Sequence, residues 1–216
     1  MNRKEAFKAQ TRQLILEAAR KLFFEERFSR CTMRRVATEA GVSAASIVVH
    51  FKNKIALMEA ALAEDIGNTW EGALKTMPAK GSIATRINHI WLTMFTFYNR
   101  NRNLYRELLS STVFKVEEDT PALSRDIDIF FKYLSSMIEE EKTATRITGS
   151  VDSTVLSMSL FSQYFYVLII FFRNPAISPE TAAKMVQVMN QQTLTGLENN
   201  LKSKIPNSKG AIHEQD

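Results

Sequence analysis

The sequence predicts an all-α fold, and three observations support that prediction. Only seven glycines and five prolines occur among 216 residues, and long stretches contain neither, which favours long helices over many short strands and turns. Hydrophobic residues make up 45% of the chain and recur at helical spacing in one segment after another. A chain of this size and hydrophobicity can bury a substantial core, in one larger or two smaller folded units.

The first predicted helix has an apolar stripe on one face. The stripe consists of Ile15, Ala18, Ala19, Leu22 and Phe23. This spacing places the side chains on the same side of a helix, where they supply a core against which the next two helices can pack.

The second and third helices are predicted from a short stretch that starts at Thr32, a suitable N-cap. The apolar face of the second helix consists of Met33, Val36, Ala37 and Ala40. Gly41 then supplies the left-handed conformation that ends helices, and Ser43 can cap the next helix two residues later. Two helices joined so tightly must cross steeply, which is the geometry of a helix-turn-helix, whose second helix can enter the major groove of DNA.

Residues 42–54, V-S-A-A-S-I-V-V-H-F-K-N-K, resemble the V-S-x-G-T-L-Y-x-H-F-x-x-K pattern of TetR-type bacterial transcriptional regulators. The agreement covers Gly41, Val42, Ser43, His50, Phe51 and Lys54. Two positions depart from the pattern, since Ala45 replaces its glycine and Val48 replaces a tyrosine that tends to contact a phosphate. The stretch from Thr11 to Leu57 keeps the length and apolar pattern of the family.

The resemblance implies which residues contact DNA. Arg34 would reach a base edge or a phosphate, and Ser46 would hydrogen-bond either. His50 is expected at a phosphate, although a histidine near a helix end can also simply cap or pack. The complete predicted set is Thr32, Arg34, Ser43, Ala44, Ala45, Ser46, Val48, Val49, His50 and Lys54. Among these, the apolar side chains of Ala45, Val48 and Val49 are suited to thymine methyl groups, while Ile47 and Phe51 face inward.

Positive charge is concentrated in this N-terminal part of a chain whose formal net charge is +5. Residues 1–54 contain 12 lysines and arginines against 5 acidic residues, whereas the rest contains 16 against 18. Neutralising DNA phosphates requires such an excess, although charged helix faces also serve solvation alone. The basic residues in 1–12 allow two interpretations, a solvated terminus or an arm that follows the DNA backbone or minor groove.

The rest of the chain is predicted to form longer helices. A connecting helix starts near Ile55, with Asn53 as its N-cap, and residues 77–82 are the clearest break. Another helix opens at Thr120, with Pro121 at its first position. Its predicted inward residues are Ile127, Phe130, Phe131, Leu134 and Ile138.

Aromatic and methionine side chains are unusually frequent on these helices. Each of these side chains can be interpreted simply as part of the hydrophobic core. The TetR resemblance, however, implies a regulatory domain that encloses a ligand between the equivalent helices. The candidate lining residues are Trp70, Trp91, Met94, Phe95, Tyr98, Tyr105, Phe130, Tyr133, Leu134 and Met137. Because the sequence shows no obvious buried cluster of charge, we expect a hydrophobic or aromatic small molecule as the effector.

Two further helices close the folded region. An apolar helix over 151–172 ends at Asn174 and Pro175, and a last helix begins after Ser178. The resemblance implies that this pair forms a four-helix bundle across the two-fold axis of a homodimer. The apolar run reaches the ~18-residue lower bound of a membrane span, but serines and Gln163 interrupt it, which favours a buried or dimer-forming helix.

We therefore predict a helix-turn-helix DNA-binding domain in 1–54, a ligand-binding and dimerisation domain in 55–202, and a disordered tail in 203–216. The function expected from the resemblance is a ligand-responsive transcriptional regulator, a repressor that binds a palindromic double-stranded operator as a homodimer. The alternative is a helical small-molecule sensing protein with weak or nonspecific DNA binding, suggested by Ala45 and Val48.

Other classes are disfavoured. The three histidines lie far apart in the chain, and no metalloprotease, P-loop, hydrolase or dinucleotide motif is present, so we expect neither an enzyme nor a cofactor. Cys31 is the single cysteine, which excludes an intramolecular disulfide or a cysteine-rich metal site. Residues 1–13 are charged throughout and do not resemble a targeting signal, which favours a cytoplasmic protein.

Overall fold

The computed structural model is all-α, and no strand occurs in the residues it describes, namely 2–26, 28–144, 146–147 and 150–202, with side chains described to residue 195. The helices are α1 (Arg3–Glu25), α2 (Met33–Glu39), α3 (Ala44–His50), α4 (Lys54–Lys75), α5 (Ile83–Asn99), α6 (Arg102–Thr112), α7 (Pro121–Thr143), α8 (Ser153–Arg173) and α9 (Pro179–Lys202). The predicted all-α fold is confirmed. The expected tail, 203–216, lies outside the described residues.

Helices α1 to α3 form the predicted helix-turn-helix. The Thr32 hydroxyl accepts a hydrogen bond from the Arg35 N–H at 3.2 Å, and the Ser43 hydroxyl accepts one from the Ser46 N–H at 3.1 Å. Both residues are therefore N-caps, as predicted. Between them, Gly41 has a φ of +66°, which lets the chain reverse within a few residues. The buried core of this unit includes Ile15, Ala19, Leu22, Phe23, Val36, Ala37, Ile47 and Phe51.

Helix α4 contributes to two cores. Its N-terminal half packs against α1 through the fully buried side chains of Leu57, Met58, Ala61 and Leu62. Arg20 of α1 strengthens this contact, because its guanidinium donates to the Ala61 carbonyl oxygen at 3.1 Å and to the Glu64 carboxylate at 2.7 Å. The C-terminal half, which carries Trp70, leaves α1 and packs with α5 and α7. One continuous helix thus connects the helix-turn-helix to the larger region.

Helix α5 lies at the centre of the larger region, where it packs along α9 and reaches α8 through aromatic side chains. The indole ring of Trp91 stacks on the Tyr164 ring of α8, with centroids 4.1 Å apart and planes inclined by 11°. The Phe95 and Phe171 rings are in contact, with their centroids 5.2 Å apart. Such offset and tilted aromatic pairs add specific contacts to the burial of apolar area.

The start of α7 differs from the prediction in one respect. Pro121 is its first residue, as expected, but the Thr120 side chain makes no capping hydrogen bond. Instead, the Glu59 carboxylate of α4 accepts the N–H of Leu123 at 2.8 Å. Glu59 is buried, and this burial raises its pKa. A carboxylate from a neighbouring helix therefore satisfies a backbone donor at the α7 N-terminus, where it also complements the helix dipole.

One predicted inward residue of α7 is not buried. Phe130, Leu134 and Ile138 lie in the core, but Ile127 is 43% exposed. Ile127 precedes Phe130 by only three residues, so both belong to the same apolar stripe of the sequence. The first turns of α7 border a cavity instead of packed protein, which leaves this position open to solvent.

Helix α8 combines a buried face with an exposed apolar one. By length and composition alone it is the one helix in the described residues that could cross a membrane, and 44% of its most apolar 18-residue window is buried inside the protein. Helices in the core of soluble proteins can have the same length and hydrophobicity. Its exposed large side chains are Val155, Met158, Tyr166 and Ile169.

We predict that Glu59→Ala lowers the free energy of unfolding by about 2–3 kcal/mol, because it leaves a backbone donor of α7 without a partner and opens a gap between helices. Glu59→Gln retains an acceptor and should cost less. Glu118→Ala, at an exposed position, is the control and should change stability little. Chemical denaturation measures all three, and an Ala variant as stable as the control would contradict the capping role.

The same residue predicts a pH dependence. Because burial raises the pKa of Glu59, the folded state holds its proton more tightly than the unfolded state. The wild-type protein should therefore gain stability relative to Glu59→Gln as the pH falls from neutrality toward the ordinary pKa of a glutamate. Denaturation of both proteins across that range measures the difference, which would stay constant if the carboxylate were as well hydrated as in the unfolded chain.

Candidate nucleic-acid interface and apolar cavity

Helix α3 presents a small, mostly apolar surface to solvent. Val48 and Val49 are 66% and 73% exposed, whereas Ile47 between Ser46 and Val48 is fully buried. Ala44 and Ala45 are exposed, and Ser46 and His50 are half-buried. Adjacent exposed valines gain nothing from packing within the protein, so this face is available to an external surface such as a groove lined by base edges.

The flanking polar residues lie beside that face. Thr32 and Ser43 are exposed, and their hydroxyl oxygens accept the capping N–H groups of α2 and α3, which leaves only the hydroxyl protons for a phosphate. The proton of Ser43 is donated to the Ser46 Oγ atom at 3.2 Å. Arg34 is exposed on α2, whereas its neighbour Arg35 forms an ion pair with Glu26. Of the two arginines, Arg34 is the better placed to contact DNA.

Positive charge gathers at the C-terminal end of α3. Partial burial, together with Lys8 and Arg12 of α1, lowers the pKa of His50. The Arg12 guanidinium also lies over the Phe51 ring, 5.2 Å from its centroid. Side chains from the first turns of α1 therefore lie next to the end of α3, which supports the interpretation of this segment as part of a basic surface.

Lys54 differs from the expectation. Its ammonium group donates to the Phe28 carbonyl oxygen and lies 3.8 Å from the centroid of the Phe28 ring. Burial lowers its pKa. In the DNA-free protein the side chain thus holds the turn after α1 against α4, and a phosphate contact, which stays a prediction, requires it to leave that carbonyl. Asn53 caps α4 as predicted, since its side chain accepts the Ala56 N–H at 2.9 Å.

The larger region contains a cavity of about 610 Å³ between α4, α5, α6, α7 and α8. Its size is within the usual range for small-molecule sites. Half of the predicted lining residues are found there, namely Trp70, Trp91, Met94, Tyr98 and Phe130. The cavity extends to the connection between α6 and α7, where Val113, Lys115 and Thr120 contribute to its wall.

The other five predicted lining residues lie outside the lining of this cavity, and their contact with a ligand stays a prediction: Phe95, Tyr105, Tyr133, Leu134 and Met137. Phe95 packs against Tyr164 and Phe171. The Tyr133 hydroxyl donates to the Met77 sulfur at 3.7 Å. Four of the five are buried, whereas Tyr133 is half-buried with its ring centroid 5.7 Å from that of Trp70. Which side chains of a helix reach the cavity depends on how that helix is rotated about its axis.

Comparison with known proteins agrees with this architecture. Residues 15–61 match the family model described as "Bacterial regulatory proteins, tetR family". A relative named "Probable HTH-type transcriptional regulator YttP", from Bacillus subtilis (strain 168), is 31% identical over 145 residues, which cover 62% of this chain.

Residues 15–61 of this chain are thus similar to the tetR family of bacterial regulatory proteins.

The matched region spans 65% of the length of the Bacillus subtilis relative. Solved structures share the fold of this chain. FadR from Thermus thermophilus, a TetR-family repressor in complex with lauroyl-CoA, has a TM-score of 0.67 at 14% identity and covers 95% of this chain and 97% of its own. The fatty acid degradation regulator FadR from Bacillus halodurans has a TM-score of 0.62 at 14% identity, with coverages of 83% and 93%.

Sequence reasoning missed the contribution of α8 to the cavity. Four of its residues line the cavity, namely Phe161, Tyr164, Phe165 and Leu168. The sequence predicts that their helix takes part in dimerisation. Its apolar residues occupy more than one face, and this pattern could have indicated that α8 also lines the cavity. Burial raises the pKa of Tyr98 to about 12 and raises that of Tyr164 well above its ordinary value.

Acidic residues were missed as well. Glu71, Glu117, Asp126 and Asp128 line the cavity together with a single base, Lys115. These residues are scattered over three segments of the sequence, so no local pattern indicated their convergence. In the described part of the chain, the cavity included, no three His, Cys, Asp or Glu side chains come together as metal ligands.

We predict that the cavity wall and the core respond differently to truncation. Phe95→Ala should lower the free energy of unfolding by about 3–5 kcal/mol, because it removes a fully buried ring. Trp70→Ala should cost less, because one side of the indole already borders open space, but it should weaken ligand binding. Denaturation and ligand titration of both variants test this prediction. Equal losses of stability would show that Trp70 is packed in the core and does not line a cavity.

Proposed function

We propose that this protein is a ligand-responsive transcriptional regulator that represses by binding a palindromic operator as a homodimer. The observation that carries the proposal is the exposed face of α3, with Val48 and Val49, within a family helix-turn-helix. Bacterial DNA lies in the cytoplasm, which is where we place the protein. Neither the family nor the site supports an enzymatic reaction.

Base recognition would be mainly apolar. The methyl groups of Ala45, Val48 and Val49 can pack against thymine methyls, while Ser46 and Arg34 supply the hydrogen bonds. Contacts to phosphates would come from the residues that flank this face, Thr32, Ser43, His50 and, after release from Phe28, Lys54. The proposed roles thus divide into positioning at the rim of the surface and base recognition at its centre.

The proposed dimer uses the outer faces of α8 and α9. On α8, Val155, Met158 and Tyr166 are exposed along one side of the helix, and on α9 a surface groove of about 640 Å³ borders Met185 and Val188. Two such faces related by a two-fold axis would bury these side chains in a four-helix bundle. The dimer is needed because one short recognition helix contacts too few base pairs for specific binding.

The cavity would control DNA binding through α4. Trp70 and Ile66 of α4 line the cavity, while Met58 and Leu57 of the same helix are buried in the helix-turn-helix core. A ligand that prefers one tilt of α4 therefore also prefers one spacing of the two recognition helices. It can lower operator affinity only by its differential affinity for the two arrangements.

A second candidate function is a sensing protein with weak, nonspecific DNA binding. The observation that favours it is the loss of the family glycine and tyrosine at Ala45 and Val48, which leaves few hydrogen-bond donors on α3. The free-energy difference between specific and nonspecific binding separates the two functions, since a true regulator should show about 4 kcal/mol or more.

The test is a mobility-shift titration at one fixed salt concentration, with palindromes from the DNA upstream of the gene and random DNA of equal length. The proposed regulator should prefer one palindrome by about a thousandfold. The absence of any saturable preference would contradict it and favour the sensing protein.

Apolar base recognition predicts a specific role for thymine methyl groups. Replacing thymine by uracil in the operator half-site should weaken binding by about 1 kcal/mol per contacted methyl, because only the methyl is removed. Val48→Ala with Val49→Ala should weaken binding to the thymine operator and reduce this uracil effect. Equal affinity of the wild-type protein for both operators would rule out these contacts.

The proposed dimer predicts the effect of charge on α8. Met158→Glu combined with Tyr166→Glu should convert the dimer to monomers, because it buries four carboxylates per dimer without partners, and operator affinity should fall at least about tenfold. Phe114→Glu is the matched control, since Phe114 is 95% exposed but lies between α6 and α7. Sedimentation analysis measures the assembly, and a double variant that remains dimeric would exclude this interface.

A further inference from the structure

The charge of the cavity is opposite to that of the chain. The protein has a formal net charge of +5, yet the charged residues lining the cavity in the described structure are four carboxylates and one ammonium group. They are Glu71, Lys115, Glu117, Asp126 and Asp128. Glu71, Lys115, Glu117 and Asp128 are exposed, so solvent screens their charges, and the preference of the site for cations depends mainly on the less exposed Asp126.

Asp126 is the carboxylate most withdrawn from water. Its side chain is 22% exposed, and burial raises its pKa. Its Oδ2 atom lies against α4 at Gly67, where a Cβ would be 3.8 Å away, so no side chain of that residue covers it. The nearby cation is Arg125, whose Nε atom lies 3.5 Å from the Asp126 Oδ1 atom. The Arg125 side chain is 70% exposed, so solvent screens its charge.

The walls of the cavity also suit a cation. Trp70, Trp91 and five further aromatic residues line it, and the negative face of an indole ring attracts organic cations. Trp70 is half-buried and meets Phe130 edge-on at 5.0 Å, so its ring is not covered by a stacked neighbour. The Trp91 Nε1–H is buried without a hydrogen-bond partner in the described structure; because it is a donor, it suits an acceptor atom on the body of a ligand and not the positive charge.

We infer that the cavity binds a lipophilic organic cation, with a delocalised or quaternary positive charge near Asp126 and an apolar body among the aromatic walls. This inference rests on the proposed function, in which the cavity is the effector site. It distinguishes this protein from Thermus thermophilus FadR, which is solved with lauroyl-CoA. The phosphates of a coenzyme A thioester need basic partners, and this cavity offers Lys115 alone among four carboxylates.

The test uses two ions of nearly the same shape and opposite charge, tetraphenylphosphonium and tetraphenylborate. Both tryptophans of the chain line the cavity, so quenching of intrinsic fluorescence reports binding directly, and calorimetry gives the dissociation constants. The phosphonium ion should bind at least about tenfold more tightly than the borate. Borate or lauroyl-CoA binding as tightly as the phosphonium ion would overturn the inference.

Variants assign the charge preference to Asp126. Asp126→Asn should weaken phosphonium binding by about fivefold or more and leave borate binding unchanged or tighter. Asp126→Glu keeps the charge and should retain most of the affinity, and Glu118→Gln, which lies outside the cavity lining, should behave as wild type. Full affinity of a folded Asp126→Asn protein for the phosphonium ion would contradict the assignment.

The operator titration separates this inference from the proposed function. Specific operator binding without phosphonium binding would refute the cationic ligand and leave the regulator intact. Phosphonium binding without specific operator binding would support the ligand class and refute the regulator.

Discussion

The structure depends on one constraint, which is that α4 packs into the core of the helix-turn-helix and into that of the larger region at the same time. Leu57 and Met58 are buried against α1, while Trp70 borders the cavity some three turns further along the same helix. Arg20 fixes the first half through the Ala61 carbonyl oxygen and Glu64. The helix runs without a break from Lys54 to Lys75 and contains no proline. The position of the helix-turn-helix is therefore not independent of the larger region.

The start of α7 is coupled to the same helix. Glu59 caps α7 from α4, and Lys52, just before α4, forms a 3.0 Å ion pair with Asp119, just before α7. The exposed pair contributes little by itself, but the buried carboxylate ties the α7 N-terminus to α4. Thr120 and Leu123, on either side of this cap, line the cavity. A ligand that displaces these residues would disturb the contact that orients α4, which gives the proposed population shift a specific structural element.

Local features of the chain were predictable, and long-range ones were not. The helix-turn-helix follows from adjacent residues, since Thr32 and Ser43 cap their own helices and Gly41 ends α2. Periodicity also identified the aromatic faces, but it did not separate Met94, which lines the cavity, from Phe95, which is core. That separation depends on the rotation of α5 against four neighbouring helices. The cap from Glu59 and the convergence of acidic residues join segments distant in sequence, and nothing local indicates them.

The central claim is that occupancy of the cavity changes the distance between the two DNA-binding units through α4. Cys31 is buried, so a spin label at Ser29→Cys, an exposed position in the helix-turn-helix, would report that distance selectively in a dimer. The probe is tetraphenylphosphonium or lauroyl-CoA, whichever quenches the tryptophans. Operator DNA should hold a single narrow distance, and the bound probe should shift the distribution by several ångströms. A distribution unchanged at full occupancy of the cavity would contradict the account.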